Sequence, residues 1–362
     1  MTAERPQHRL PPEAYLDPGW HEREQRLLFG RTWAYVAHVH DLPEPGDCVT
    51  ATVGTEPIVV VRTEAGGLAG FVNICRHRGM TIASGSGACG GTLRCPYHGW
   101  EWDLAGTLVR VPQRRTQFPD LDPEALGLHP VAVATWGGFV FAHPDPSAAP
   151  AFEGWLGDVP ARCGAYPWDD LVEVHRERWP LACNWKLYVE NHVDWLHLWY
   201  LHDESLSLYD HHGASRWTIG DHWASAERLR AGRDRTGADG LDPIPGLSDD
   251  ERATLRANLL FPNVPLVTTG TQVNTYQVIP TGPESCVLDL RVFGAGGRLS
   301  DAGLADTRRV LVDEDGRTCE RMQSALRSRR FAVGPLAVDF ERPIADFHAA
   351  VLRFVGDVPD PA

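Results

Sequence analysis

The sequence predicts an α+β fold: an antiparallel β domain, then a helix-grip domain in which a curved antiparallel sheet wraps a long C-terminal helix. Three patterns carry this expectation. Residues 45–145 run as short segments such as IVVV (58–61), LAGFVNIC (68–75) and GGFVFAHP (137–144), broken by Gly, Pro and Asp. That is the period and punctuation of antiparallel strands. Strand-like text returns at 259–294, and a helical pattern follows at 302–328, with another beginning near Phe340. A curved sheet against a long helix makes a pocket-bearing layer structure.

Taken in order, residues 1–40 read as a helical segment expected to pack on the second, C-terminal domain, with Tyr15, Leu27, Leu28, Phe29 and Trp33 spaced to make one apolar face. The β domain is expected over 41–150, and DPSAAPAFEG (145–154) suits a crossing between domains. The second domain is expected over 151–362. Within it, 183–205 reads as a helix and 228–258 as a charged, Gly/Pro-containing stretch without clean periodicity. A chain of 362 residues is long enough for two such cores, and it contains no internal repeat.

The net charge of −14 argues against nucleic acid and anionic membranes as partners, since both call for a basic face. It suits a basic redox partner, and equally a merely solvated acidic surface. MTAERPQHRLPPEAY lacks the apolar core of a signal peptide, and no run of 18 apolar residues occurs. Eight cysteines are too sparse for a disulfide scaffold. Cys48, Cys89, Cys163, Cys183, Cys286 and Cys319 are expected as free, mainly buried thiols, and the cytoplasm as the compartment.

Cys75-Arg-His77 and Cys95-Pro-Tyr-His98 form C-x-H-x17-C-x-x-H. Two sulfurs and two imidazoles at this spacing suit a [2Fe–2S] cluster with cysteines on one iron and histidines on the other. A Cys2His2 zinc site uses the same ligand types, but such sites group C-x2–4-C and H-x3–5-H separately. Here each loop mixes one Cys with one His. Between the loops, GSGACG (85–90) satisfies G-x-G-x-x-G but opens no predicted helix, so it reads as a loop and not a dinucleotide site.

Downstream, NWKLYVENHVDWLHLWYLH (184–202) carries Asp194, His197 and His202 as D-x2-H-x4-H. One histidine in such aromatic text is usually a packed core residue. Two with an aspartate, beside an iron–sulfur domain, suggest a two-His, one-carboxylate iron site with positions open for O2 and substrate. His197 and His202 would lie about 140° apart on an ideal α-helix. The segment 194–202 is therefore expected to depart from a regular helix, through a π-bulge or a helix end. A further carboxylate is available in VLVDEDGRTCERMQ, which offers Asp313, Glu314 and Asp315; if the segment is helical, Asp313 and Asp315 point about 200° apart.

CRHRG (75–79) and CPYHGW (95–100), with Asp103, Gly106 and Leu108, resemble the Rieske domain of the ring-hydroxylating oxygenase α-subunit family, the Rieske non-haem iron oxygenases. LPPEAY, FGRTWAYV, LPEPGD, NWKL, LFPN, MQSALRS and VGPLAVDFERPIADFH extend the likeness over nearly the full length. The resemblance implies that Cys75, His77, Cys95 and His98 ligate the cluster. The extra cysteine pair of respiratory Rieske proteins is missing, with Met80 and Tyr97 in its region. It implies mononuclear Fe(II) on His197, His202 and Asp315, the last in register with Cys319, Glu320 and Gln323, with Asp313 the fallback. Asn191 is expected near the iron. Asp194 is implied as the bridge between a neighbouring subunit's cluster histidine (His98) and His197 in a head-to-tail homotrimer.

The implied activity is that of a stand-alone oxygenase using O2 to hydroxylate or oxidatively demethylate a small organic substrate. Ring dihydroxylation is the alternative within the family, and a Rieske electron carrier or redox sensor the alternative from another class. The chain has no plant-type ferredoxin run and no flavin or nicotinamide fingerprint. Electrons are therefore expected from a separate ferredoxin or flavin reductase, with NAD(P)H acting only through it. Trp179, Trp185, Trp195 and Trp199 suggest either a cage for a quaternary ammonium group or ordinary core packing.

Overall fold

The computed structural model describes residues 6–233 and 238–356. The chain divides into two compact units, one of residues 24–152 and the other of 1–23 with 153–362. The first division falls inside the helix Pro18–Leu27, earlier than the boundary at 40 that the sequence suggests. The cause is that Ala34–His38, read as helical text, is instead strand β1, paired antiparallel with Phe139–His143. Sheet pairing decides between two local readings of a mixed aromatic and β-branched segment.

In the unit 24–152, nine strands follow β1: β2 (Asp47–Val53), β3 (Glu56–Arg62), β4 (Leu68–Val72), β5 (Ser86–Ala88), β6 (Thr92–Arg94), β7 (Glu101–Asp103), β8 (Leu108–Arg110), β9 (Pro130–Trp136) and β10 (Phe139–His143). Seven form a sheet in the order β1-β10-β9-β4-β3-β2-β5, and β6-β7-β8 form a small second sheet. The unbroken run IVVV is explained by burial on both faces of β3. Val59 and Val61 pack with Phe71, Trp100 and Trp102, while Ile58 and Val60 face a separate core with Val53 and Val140. GSGACG contributes only the exposed edge strand β5 and opens no helix.

The other unit holds β11 (Val172–Leu181), β12 (Ser215–Ile219), β13 (His222–Arg228), β14 (Thr254–Leu260), β15 (Val264–Thr268), β16 (Val273–Gly282) and β17 (Ser285–Gly294). They form one antiparallel sheet in the order β11-β17-β16-β15-β14-β13-β12. The helix Trp185–Val193 packs on β16 and against the helices Arg317–Ala325 and Arg342–Val355. Nearly all of its residues are buried, so it has no broad solvent-facing side.

Two helical expectations need correction. The helix expected over 183–205 stops at Val193, and the pattern at 302–328 is three segments: Asp301–Arg308, a π-helical stretch Arg309–Gly316, and Arg317–Ala325. Of the aperiodic stretch 228–258, residues 234–237 lie outside the described residues, and Asp249–Arg252 is a short helix closed by a Ser248–Glu251 capping box. Among the described residues, no helix is long and apolar enough to cross a membrane.

Candidate metal centres

The two cysteine–histidine loops share one backbone design. Cys75 N–H donates to the Met80 carbonyl (2.7 Å) and Gly79 N–H to the Cys75 carbonyl (2.9 Å). Cys95 N–H donates to the Trp100 carbonyl (2.8 Å) and Gly99 N–H to the Cys95 carbonyl (3.0 Å). Each loop turns on a glycine in the left-handed region, Gly79 at φ 71° and Gly99 at φ 68°, which a residue with Cβ adopts only at a cost. Both cysteines are buried, and the His77 and His98 rings stand 4.7 Å apart. His77 also stacks on Trp100 at 5.0 Å, which fixes its plane.

These residues fit a [2Fe–2S] group. The Nδ1 atom of His77 is buried with no hydrogen-bond partner, as a ligand nitrogen would be. Burial raises the Cys75 thiol above its ordinary value, so the ionised form needs a metal to hold it. Burial, with His98 and Arg78 close by, keeps His77 below its ordinary value, in the neutral form that ligates.

The second set forms where the helix Trp185–Val193 ends. Trp195 N–H donates to the Phe340 carbonyl (3.1 Å), and Leu196 N–H to Asp194 Oδ1 (2.7 Å), so both amides leave the i→i−4 ladder. A 3-10 turn, Leu196–Trp199, then carries His197, and His202 follows in the next turn. This break is the departure from helix that the five-residue spacing demands. His197 and His202 rings lie 5.0 Å apart. Asp315 Oδ1 is 2.9 Å from His202 Nε2 and 3.8 Å from His197 Nε2. Donors about 2.1 Å from one ion stand at most about 4.2 Å apart; both carboxylate–imidazole separations meet this, and all three donor atoms lie within 4.8 Å of one another, a group able to hold a metal ion.

Asp315 is buried, whereas Asp313 is half-exposed and pairs with Arg317 at 2.8 Å, so the fallback ligand points away. Burial works to raise Asp315, but His202, His197 and a hydrogen bond from Asn191 outweigh it and hold the carboxyl below its ordinary value. Asn191 thus touches the triad. Asp194 Oδ2 lies 3.2 Å from His197 Nδ1, leaving Nε2 for a metal.

Residues 32–133 match the Rieske [2Fe-2S] domain model, and 168–357, more than half the chain, match the catalytic domain of the ring hydroxylating alpha subunit. The chain belongs to the ring-hydroxylating oxygenase α-subunit family. Choline monooxygenase of Beta vulgaris, named as chloroplastic, is 27% identical over 350 residues, covering 92% of this chain and 74% of that protein. The α-subunit of biphenyl 2,3-dioxygenase from Rhodococcus jostii is 36% identical over 188 residues, covering 50% of this chain and 40% of its own. In fold, the chain is similar to the quaternary ammonium Rieske monooxygenase CntA in complex with L-carnitine, with TM-score 0.81 at 22% identity over 97% of this chain and 96% of that one. Naphthalene 1,2-dioxygenase from Rhodococcus sp. gives 0.75 at 22% identity, over 97% and 95%.

This Rieske oxygenase therefore carries a [2Fe–2S] cluster and a mononuclear non-haem iron, uses O2 as co-substrate, and depends on an electron-transfer partner. The carrier or sensor reading is set aside, because it gives the catalytic domain nothing to do.

A cavity of about 380 Å³ opens on the triad. Apolar walls come from Leu255, Ala257 and Val267, and Gln272, Asn274 and Tyr276 alternate along one face leading into β16. Asp194, Glu204, Glu227, Asp306 and Asp315 make it acidic, and Arg309 is the one Lys or Arg among its described lining residues. Of the four tryptophans, only Trp195 lines it. Trp185 packs on Phe347, Trp199 on Phe340 and His212, and Trp179 bonds Glu177, so a four-tryptophan cage is not formed.

Sequence reasoning missed His192 and Tyr276. Burial pushes His192 down to about 4, so it is neutral; its Nε2–H donates to the Asn258 carbonyl (3.0 Å), and its Nδ1 accepts the Tyr276 hydroxyl (2.8 Å). Glu314, seen only as one of three acids, lies 2.7 Å from His202 Nδ1. A second three-residue group, His8, Glu190 and His348, is closed by hydrogen bonds: Tyr15 O–H donates to Glu190 (2.6 Å), His348 Nε2 lies 2.9 Å from the same oxygen, and Arg9 N–H donates to His348 Nδ1 (3.2 Å). It clasps the N-terminal segment to the C-terminal helix. None of the eight cysteines is in a disulfide, and all but Cys89 are buried.

Proposed function

We propose that the chain is a stand-alone monooxygenase acting on a compact, cationic, N-methyl-bearing amine. The observation that carries this is the acidic cavity at the triad, whose lone basic side chain, Arg309, is already paired with Glu204 (3.0 Å) and Glu314 (2.8 Å). Such a pocket favours a small cation over a carboxylate or a fused aromatic hydrocarbon. The likeness to choline monooxygenase supports it, and Trp195 adds one aromatic wall. The overall change is R–CH3 + O2 + 2 e⁻ + 2 H⁺ → R–CH2OH + H2O, and on an N-methyl group the product loses formaldehyde.

In this reading Cys75, His77, Cys95 and His98 ligate the cluster, and His197, His202 and Asp315 hold the iron. When bound, the cluster supplies single electrons and the iron supplies O2 activation. Asn191 steadies the Asp315 carboxylate, and Tyr276 with neutral His192 keeps the wall polar without adding charge. Asp194 holds His197 through one oxygen and, in a homotrimer, links to His98 of a neighbouring copy. A ferredoxin or flavin reductase would supply the electrons. A reducing compartment, the cytoplasm in our reading, suits the six thiols left outside the cluster.

The local 36% identity to biphenyl dioxygenase favours a second reading, ring dihydroxylation. Reductase-coupled O2 uptake with choline, carnitine, other N-methyl amines, biphenyl and naphthalene decides between them. Formaldehyde or a single added oxygen from an amine is expected. A cis-diol from an arene, with every amine inert, would sink the proposal.

A further inference from the structure

The two histidines of the triad are treated alike on their outer edges. Asp194 meets Nδ1 of His197, and Glu314 meets Nδ1 of His202. Glu314 is tightly held. Its Oε2 accepts the Ser205 hydroxyl at 2.6 Å as well as lying 2.7 Å from His202, and its Oε1 accepts Arg309 Nε at 2.8 Å. Arg309 is in turn anchored by Glu204 at 3.0 Å.

The π-helical stretch Arg309–Gly316 explains why this is possible. Arg309 and Glu314 are five residues apart, which a straight α-helix would separate by about 140° around its axis. The i→i+5 period brings them together, while Asp315, the next residue, still faces the histidines.

We propose that Glu314 is a positioning residue for the iron site, acting through His202; this rests on the ligand set given above. A carboxylate accepts hydrogen bonds and donates none, so the proton between the two groups belongs to His202 Nδ1. That leaves Nε2, which faces Asp315 at 2.9 Å, as the nitrogen that gives up its proton to take the metal, orients the ring, and raises its basicity as a ligand. Ser205 and Arg309 hold the carboxylate in this pose, so the Nδ1 side of His202 is fixed whether Nε2 faces Asp315, 2.9 Å away, or a metal.

The test is anaerobic Fe(II) affinity of the full chain, measured by competition with a ferrous chelator, with cluster absorbance and thermal melting as readouts of fold. Glu314→Ala should weaken Fe(II) binding about 10- to 100-fold. Glu314→Gln should recover much of that loss, since its amide oxygen still accepts the Nδ1 proton. Ser205→Ala should shift affinity in the same direction by less, and Asp313→Ala not at all. EPR of the ferrous–nitric oxide adduct should change in Glu314→Ala, a signature that a purely structural role would not move. Wild-type affinity and an unchanged adduct spectrum in Glu314→Ala would overturn the role of Glu314 alone. If Asp315→Ala also binds Fe(II) as tightly as wild type, the ligand set fails and this role falls with it.

Discussion

The two cysteine–histidine loops and the His197–His202–Asp315 triad, in the proposed reading, both hold metal ligands rigid, by different routes. Cys75, His77, Cys95 and His98 lie within 24 residues, on two loops that repeat one hydrogen-bond pattern around a left-handed glycine. The triad takes His197 and His202 from a chain reversal and Asp315 from a helix 113 residues beyond His202. Turn chemistry makes the first site, and packing of a sheet against three helices makes the second. The first should therefore respond to changes in backbone freedom, and the second to changes in buried partners.

The sharpest test of that separation removes one ligand from each. Cys95→Ser should abolish acid-labile sulfide and the visible spectrum, yet leave mononuclear iron bound. Asp315→Ala should do the reverse, with turnover falling to background in both. Loss of both centres in either variant would mean that the two sites do not assemble independently.

Next in size is Asp194→Asn. It spares every proposed ligand, so both metal contents should match wild type. Removing the carboxylate that holds His197 costs about 10- to 100-fold by itself, and interrupted electron transfer between copies should add to this. Single-turnover kinetics from a pre-reduced cluster would separate the two losses, and normal turnover with an intact trimer would remove the proposed link.

A smaller effect is expected from Tyr276→Phe. It leaves His192 Nδ1 buried without its donor, a penalty of about 1–3 kcal/mol. Urea unfolding followed by tryptophan fluorescence should show the loss, with cluster absorbance unaffected at low urea.

The smallest concerns the loop glycines. A Cβ on Gly79 meets nothing within 4 Å, and one on Gly99 meets only Arg94 and Pro112 at ordinary contact distance. Gly79→Ala and Gly99→Ala should thus pay only for the positive φ, about 1–2 kcal/mol each. Matched shifts in the denaturant midpoint of cluster absorbance would support the equivalence of the two loops, and a large difference would break it.

The pairing of two like cysteine–histidine loops was legible in the sequence, because spacing within a loop is itself geometry. So was the failure of helix at 194–202, since two ligands of one ion cannot sit about 140° apart. The sequence also identified strands by period, the two-part α+β organisation and the acidic character of the chain. It could not show where the helix breaks, because Trp195 is diverted by the carbonyl of Phe340, a partner absent from any local window. It offered no sign that the π-helical turn lies at 309–316, where Arg309 and Glu314 pair across it. Nor could it show His192 bonded to Tyr276, or three of four tryptophans turned away from the cavity. Local pattern encodes period, turn chemistry and ligand type, all of which act over a few residues. Which carboxylate meets which histidine, and which faces line the cavity, depends on contacts between segments far apart in the chain, and these exist only once the sheet and helices have packed.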